Sequence, residues 1–144
     1  MIKFDSNTKT RLKKLGVGVI YLIGSRATQN TRPNSDFDFA VVMKGTKKLS
    51  KGTLNLYHKL YQIFSDAVPK LHVKLPFPDN MIEIDIVFLQ TAPLYYSIAA
   101  RDKGIILYEI SPRFRASYEE RITNEYMDFE PLRREQETAI LAMI

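Results

Sequence analysis

YLIGSRATQNTRPNSDFDFAVVM, residues 21–43, reads as the end of an apolar strand, a turn opening with Gly24-Ser25, a polar loop and a second strand. Asp36 and Asp38 stand at i and i+2 where the second strand begins, so both carboxylates point to one face of it. Two carboxylates side by side repel each other, and a bound cation is one good reason to place them there. The glycine turn just upstream offers backbone N–H groups of the kind that cradle phosphates. The stretch therefore suggests a metal–nucleotide site on a strand–turn–strand scaffold.

Upstream, Val17 to Ile23 is a nearly continuous apolar run rich in β-branched residues, which predicts a buried strand. Ser6 or Asn7 is expected to cap a helix that ends at Leu15-Gly16. Downstream, Phe37, Phe39, Val41 and Met43 alternate with Asp38, Ala40 and Val42. Ser50 is expected to cap a helix whose stripe Leu56, Tyr57, Leu60, Ile63 and Phe64 faces a core. The proline-punctuated LHVKLPFPDN allows an edge strand at Leu71–Leu75.

MIEIDIVFL, residues 81–89, is the clearest strand, with Glu83, Asp85 and Val87 on the face opposite Ile82, Ile84, Ile86 and Phe88. Asp85 falls mid-strand in apolar company, where an unpaired buried carboxylate is costly. Thr91 and Pro93 then open a short helix over LYYSIAARD, and GIILYE, residues 104–109, predicts a last strand. From about 112 to 144 the chain reads as helical, with Phe114, Tyr118, Ile122 and Tyr126 as a packing stripe and Pro131 expected to kink or break it. This order predicts an α+β fold, one domain over 1–144, with a small mixed β-sheet and helices mainly on one side.

With 144 residues, 45% hydrophobic and 26% charged, the chain can bury a core without covalent staples. It has no cysteine, which excludes disulfides and thiolate metal sites. No apolar run approaches the ~20 residues needed to span a bilayer, and MIKFDSNTK lacks a secretory h-region, so no membrane association and a cytoplasmic location are expected. A net charge of +5 favours anionic partners such as nucleotides. The basic residues are scattered, so nucleic acid is not expected as a partner.

Asp36, Asp38 and Asp85 are the acids that strand patterning brings to polar strand faces. Carboxylates without histidine or cysteine are hard oxygen ligands, suited to Mg²⁺ or Mn²⁺ rather than zinc. Neither His58 nor His72 has a second ligand at metal spacing. Two such ions can clamp the attacking and leaving oxygens of a phosphoryl displacement, with Asp36 and Asp38 holding the nucleotide's ion and Asp85 completing the second site. Gly24 and Ser25 would meet a phosphate, and Arg26 and Arg32 lie in the same loop to neutralise its charge.

GSRATQNTRPNSDFDFAVV followed by IEIDIVFL resembles the DNA polymerase β-type nucleotidyltransferase superfamily, and more narrowly the minimal nucleotidyltransferases. AARDKGIILYE and the segment YMDFEPLRR also resemble that group. The resemblance implies a palm-like nucleotidyltransferase fold. It assigns Gly24 and Ser25 to the phosphate-binding turn and Asp36, Asp38 and Asp85 to catalysis and metal binding. One departure is Thr28-Gln29, where the family often has Arg-Gly.

Many minimal nucleotidyltransferases are antitoxins paired with a HEPN-domain toxin. The resemblance thus implies Mg²⁺-dependent transfer of AMP from ATP to a partner hydroxyl, a tyrosine in particular, and a hetero-oligomer with the toxin. Two other readings stay open: adenylylation of a small, aminoglycoside-like molecule, and a non-catalytic antitoxin that masks its partner by binding.

Overall fold

The strands predicted at either end of the opening stretch, β1 (Val17–Ile23) and β2 (Phe37–Met43), pair antiparallel at the centre of a four-stranded sheet. The computed structural model describes residues 2–28, 36–68 and 83–143. The strand order is β3-β2-β1-β4, with β3 spanning Ile84–Phe88 and β4 spanning Ile105–Glu109. β3 joins β2 in parallel, while β4 joins β1 antiparallel. A parallel neighbour requires a crossover, and between β2 and β3 the chain forms the short helix α3 (Lys47–Ser50) and then α4 (Leu54–Ala67). The other helices are α1 (Ser6–Leu15), the single turn α2 (Ser25–Thr28), α5 (Leu94–Lys103) and α6 (Pro112–Ala142). The mixed α+β sheet is the fold class expected.

The helices do not gather mainly on one side. Leu12 of α1 and Leu56, Leu60, Ile63 and Phe64 of α4 pack on the face carrying Ile20, Leu22, Phe37, Phe39 and Val41. Ala100 of α5 and Tyr118 and Ile122 of α6 pack on the opposite face against Val19, Tyr21, Ala40 and Val42. The reason lies in β1 and β2, which are apolar on both faces beyond their first residues, so each face must be covered. The Phe39 and Phe64 rings stack with centroids 4.2 Å apart, and each fully buried ring contributes roughly 1.5–3 kcal/mol over leaving it in water.

Polar contacts fix the second helical layer. The Tyr21 hydroxyl donates to Glu119 Oε1 at 2.8 Å, and Arg115 bridges Glu119 and Glu109. The buried Tyr118 hydroxyl bonds the Ser97 hydroxyl at 2.8 Å, joining α6 to α5.

Three local expectations are corrected. The cap of α1 is Asp5, one residue earlier than Ser6; its carboxylate accepts the Thr8 N–H at 2.7 Å, a stronger acceptor than a hydroxyl. Ser50 closes α3 rather than capping α4, which starts after Thr53 with no side-chain cap bond. Pro131 does not break α6, which runs on through it. Residues 131–143 are exposed, so a carbonyl left without its N–H partner can be solvated, and the penalty that breaks a buried helix is reduced. The edge strand expected at Leu71–Leu75, and His72 within it, lie outside the described residues.

Candidate active site

The parallel pairing of β2 with β3 puts acids from two distant segments side by side. Asp38 is the register partner of Asp85, and Phe37 is that of Ile84. The Phe37 N–H donates to the Glu83 carbonyl at 2.9 Å, which carries the ladder one step further to residues 36 and 83. As a result Asp36, Glu83 and Asp85 each offer a carboxylate oxygen, and these oxygens lie within 4.8 Å of one another. This is the one such group of potential metal ligands among the described residues.

Asp38 lies beside that group, half-buried, and its carboxyl is held above the usual carboxylate range. Burial is the first cause, followed by the charges of Asp85 and Asp36 and a hydrogen bond shared with Asp85. Asp85 itself is exposed rather than buried: it sits near the start of β3 and faces the cleft, while Ile84 and Ile86 point into the core.

Glu83 is the acid that the sequence reading left out of the site. The signal was present, since Glu83 is two residues before Asp85 and shares its strand face.

The Gly24 turn closes the other side. β1 ends at Ile23, the register partner of Asp38, so the turn begins directly beside that carboxylate. Gly24 has φ +75°, and a Cβ there would lie 2.5 Å from Asp38 Oδ2. Both the backbone and the close approach call for glycine. The Gly24 carbonyl accepts the Ala27 and Thr28 N–H groups at 3.1 and 3.3 Å, which starts α2. The first N–H groups of a helix have no intrahelical acceptor and remain available to an anion. Ser25 is half-buried in this turn. The Arg26 guanidinium lies over the Phe37 ring, 4.2 Å from its centroid, which ties the turn to β2 between the two aspartates. Gln29, Arg32 and Ser35 lie outside the described residues.

These elements border a cleft of about 690 Å³. Gly24, Thr28, Asp38 and Asp85 line one part of it; Tyr95, Tyr96, Ala99 and Lys103 line another. The last four lie at i, i+1, i+4 and i+8 on α5, so one helical face forms a wall. The exposed Lys103 brings a cation to a cleft whose other charged lining residues are the acids Asp38 and Asp85. It was missed because only the pairing of β4 with β1 brings the end of α5 next to the glycine turn: Leu22 pairs with Ile105. Among the described residues no helix is long and apolar enough to cross a membrane.

Comparison with known proteins agrees with this geometry. The chain is 37% identical over 92 residues to a protein adenylyltransferase MntA of Aphanizomenon flos-aquae. That match spans 63% of this chain and 56% of the relative, little more than half its length. A structure described as a toxin–antitoxin with AMP-PNP superposes with a TM-score of 0.65 at 18% identity, covering 96% of this chain and 99% of the other. A second, described as a tri-AMPylated Shewanella oneidensis HEPN toxin in complex with an MNT antitoxin, gives 0.57 at 16% identity, covering 94% and 97%. At such identities these structures show a shared fold. Residues 7–113 match the family model for polymerase beta, nucleotidyltransferase, and since this is well over half of the sequence, the chain belongs to that nucleotidyltransferase family.

Proposed function

We propose that this protein is a Mg²⁺-dependent adenylyltransferase that moves AMP from ATP onto a hydroxyl, specifically a tyrosine, of a HEPN-domain toxin and so acts as its antitoxin. The observation that carries the reading is the meeting of Asp36, Asp38 and Asp85, with Glu83, beside the Gly24 turn in a nucleotidyltransferase chain. The relative named protein adenylyltransferase supports the AMP donor and the protein acceptor. The structural neighbours described as toxin–antitoxin complexes support the partner and a hetero-oligomeric assembly.

The donor set fits a hard divalent cation. It is all oxygen, it gathers negative charge at one point, and that charge adds to burial in lifting the Asp38 carboxyl. Asp36, Asp38 and Asp85 would hold Mg²⁺, with Glu83 as a further oxygen donor. When bound, the ions would neutralise triphosphate charge and lower the pKa of the acceptor hydroxyl. Gly24 and Ser25 would bind phosphate oxygens through backbone N–H groups and the Ser25 hydroxyl. Arg26 would stiffen the turn from its place on Phe37, and Lys103 would add positive charge at the same end.

In the transfer itself the tyrosine oxygen attacks the α-phosphorus, the bond from that phosphorus to the bridging oxygen breaks, and pyrophosphate leaves. The phenol proton, with an ordinary pKa of about 10, would pass to the exposed Asp85 carboxylate.

The test is to incubate the chain with ATP, Mg²⁺ and the HEPN protein of the same operon and to measure intact mass. A gain of AMP units on a toxin tyrosine is expected. An unmodified toxin that is nevertheless neutralised would replace this reading with masking by binding. AMP on an aminoglycoside and not on the toxin would replace it with the small-molecule reading. A cytoplasmic location goes with a toxin partner made in the same compartment, and imaging a tagged copy checks it.

A further inference from the structure

Tyr95 is 62% exposed, yet its ring is not loose on the surface: it stacks on Tyr96 with centroids 4.4 Å apart and planes at 28°. Adjacent side chains on a helix point about 100° apart, so this stack requires the two rings to turn toward each other. Both rings line the cleft that holds Asp38 and Asp85. One ring therefore backs the other at the edge of the space where substrate must lie. Along the same wall of α5, Lys103 follows eight residues later, roughly 12 Å away. Lys103 adjoins Gly104 and the start of β4, next to the glycine turn and its phosphate-binding groups. The cleft is thus polar and charged at one end and aromatic at the other, the polarity of a nucleoside triphosphate laid along it.

We infer that Tyr95, supported by Tyr96, is the stacking platform for the nucleobase of the donor nucleotide. The inference rests on the nucleotidyltransferase reading above and adds to it the subsite that receives the base. Stacking uses the ring face, which every base can meet, and the larger purine surface gains most from it. The hydrogen bond shared with Tyr96, with partial desolvation and the Tyr96 phenol's own charge adding to it, holds the Tyr95 hydroxyl above its ordinary range. That disfavours Tyr95 as a nucleophile or base and leaves its ring as the useful part.

The experiment is calorimetric titration of the whole chain in Mg²⁺ with ATP, with CTP and with inorganic tripolyphosphate, which has no base. Wild type is expected to bind ATP more tightly than CTP. Tyr95→Ala should lose roughly tenfold in ATP affinity, the usual scale for one stacked base, while tripolyphosphate affinity and melting temperature stay put. Tyr95→Phe should retain ATP affinity within about twofold, because the ring remains. ATP binding unchanged in Tyr95→Ala overturns the inference and leaves the transfer reading intact. An equal loss for tripolyphosphate also overturns it, since the ring would then act on cleft structure. If the wild-type chain binds no ATP, both readings fall; if it binds ATP through Tyr95 but transfers nothing, only the transfer reading falls.

Discussion

Asp38 and Asp85 are register partners on neighbouring parallel strands, and burial, then the charges of Asp85 and Asp36 and the hydrogen bond shared with Asp85, together hold the Asp38 carboxyl above its ordinary range. An acid whose proton is held more tightly in the folded chain than in the unfolded one lends stability at low pH. That stability is lost as pH rises from the ordinary carboxylate pKa of about 3.9 through the raised folded value. At neutral pH the metal-free chain therefore carries a penalty at this site. Asp38→Asn should melt higher than wild type at neutral pH without divalent metal, with the difference closing in acid. The same change should cut AMP transfer at least ~10²-fold, the scale for removing one group that stabilises transition-state charge. Thermal melts over a pH series and a transfer assay check the two halves separately.

Cation binding relieves the same repulsion. Mg²⁺ should raise the melting temperature of the wild-type chain in a saturable way, by about 2.7 kcal/mol of stability at a hundred times Kd, and NaCl at equal ionic strength should not. Glu83→Gln and Asp85→Asn should each shrink that gain and shift its midpoint to higher Mg²⁺. Glu83 is the informative one, because only its place within 4.8 Å of Asp36 and Asp85 marks it as a donor. A Glu83→Gln chain with the wild-type Mg²⁺ response would remove Glu83 from the site.

At Gly24 an alanine must adopt φ +75° and bring its Cβ against Asp38 Oδ2. The backbone term alone is about 1–2 kcal/mol. Gly52 provides the comparison, with φ +101° and nothing near its would-be Cβ. Gly52→Ala is expected to lower stability and leave ATP affinity alone. Gly24→Ala should lower both, because Asp38 or the phosphate turn must move. Equal effects on ATP affinity would count against the turn as a phosphate site.

The sequence carried the elements of this site more clearly than their arrangement in layers. Strand alternation in SDFDF and EIDIV was enough to put Asp36, Asp38 and Asp85 on polar strand faces, and the Gly24 turn followed from its place after Val17–Ile23. Glu83 obeyed the same alternation and was legible too, but a lone acid at a strand entrance has many ordinary explanations. The two-sided helical cover was visible only as an absence of alternation in VGVIYLI, a pattern that says both faces are buried without saying by what. Lys103 and Tyr95 depend on tertiary pairing: β4 must add to β1 before α5 becomes a wall of the cleft. Asp85 was misjudged as buried because apolar neighbours in sequence are not neighbours in space on a strand.

Two buried phenols separate the scaffold from the site. The Tyr21 hydroxyl donates a hydrogen bond to Glu119, which Arg115 also contacts, so Tyr21→Phe leaves no carboxylate stranded and should cost about 1 kcal/mol. Tyr118 is bonded to Ser97, which is 3% exposed, and Tyr118→Phe leaves that hydroxyl without its partner. Its cost should be the larger, up to about 3 kcal/mol. Neither ring borders the 690 Å³ cleft, so ATP affinity should survive both changes. Burial raises both phenols above their ordinary range, with Glu119 adding to the effect at Tyr21. A raised phenol keeps its stabilising contribution below the unfolded pKa of about 10 and loses it as pH climbs further. The double Phe chain should therefore lose stability less steeply than wild type in strongly alkaline buffer, and denaturant melts on either side of that pKa would show whether these hydroxyls hold α6 to the sheet.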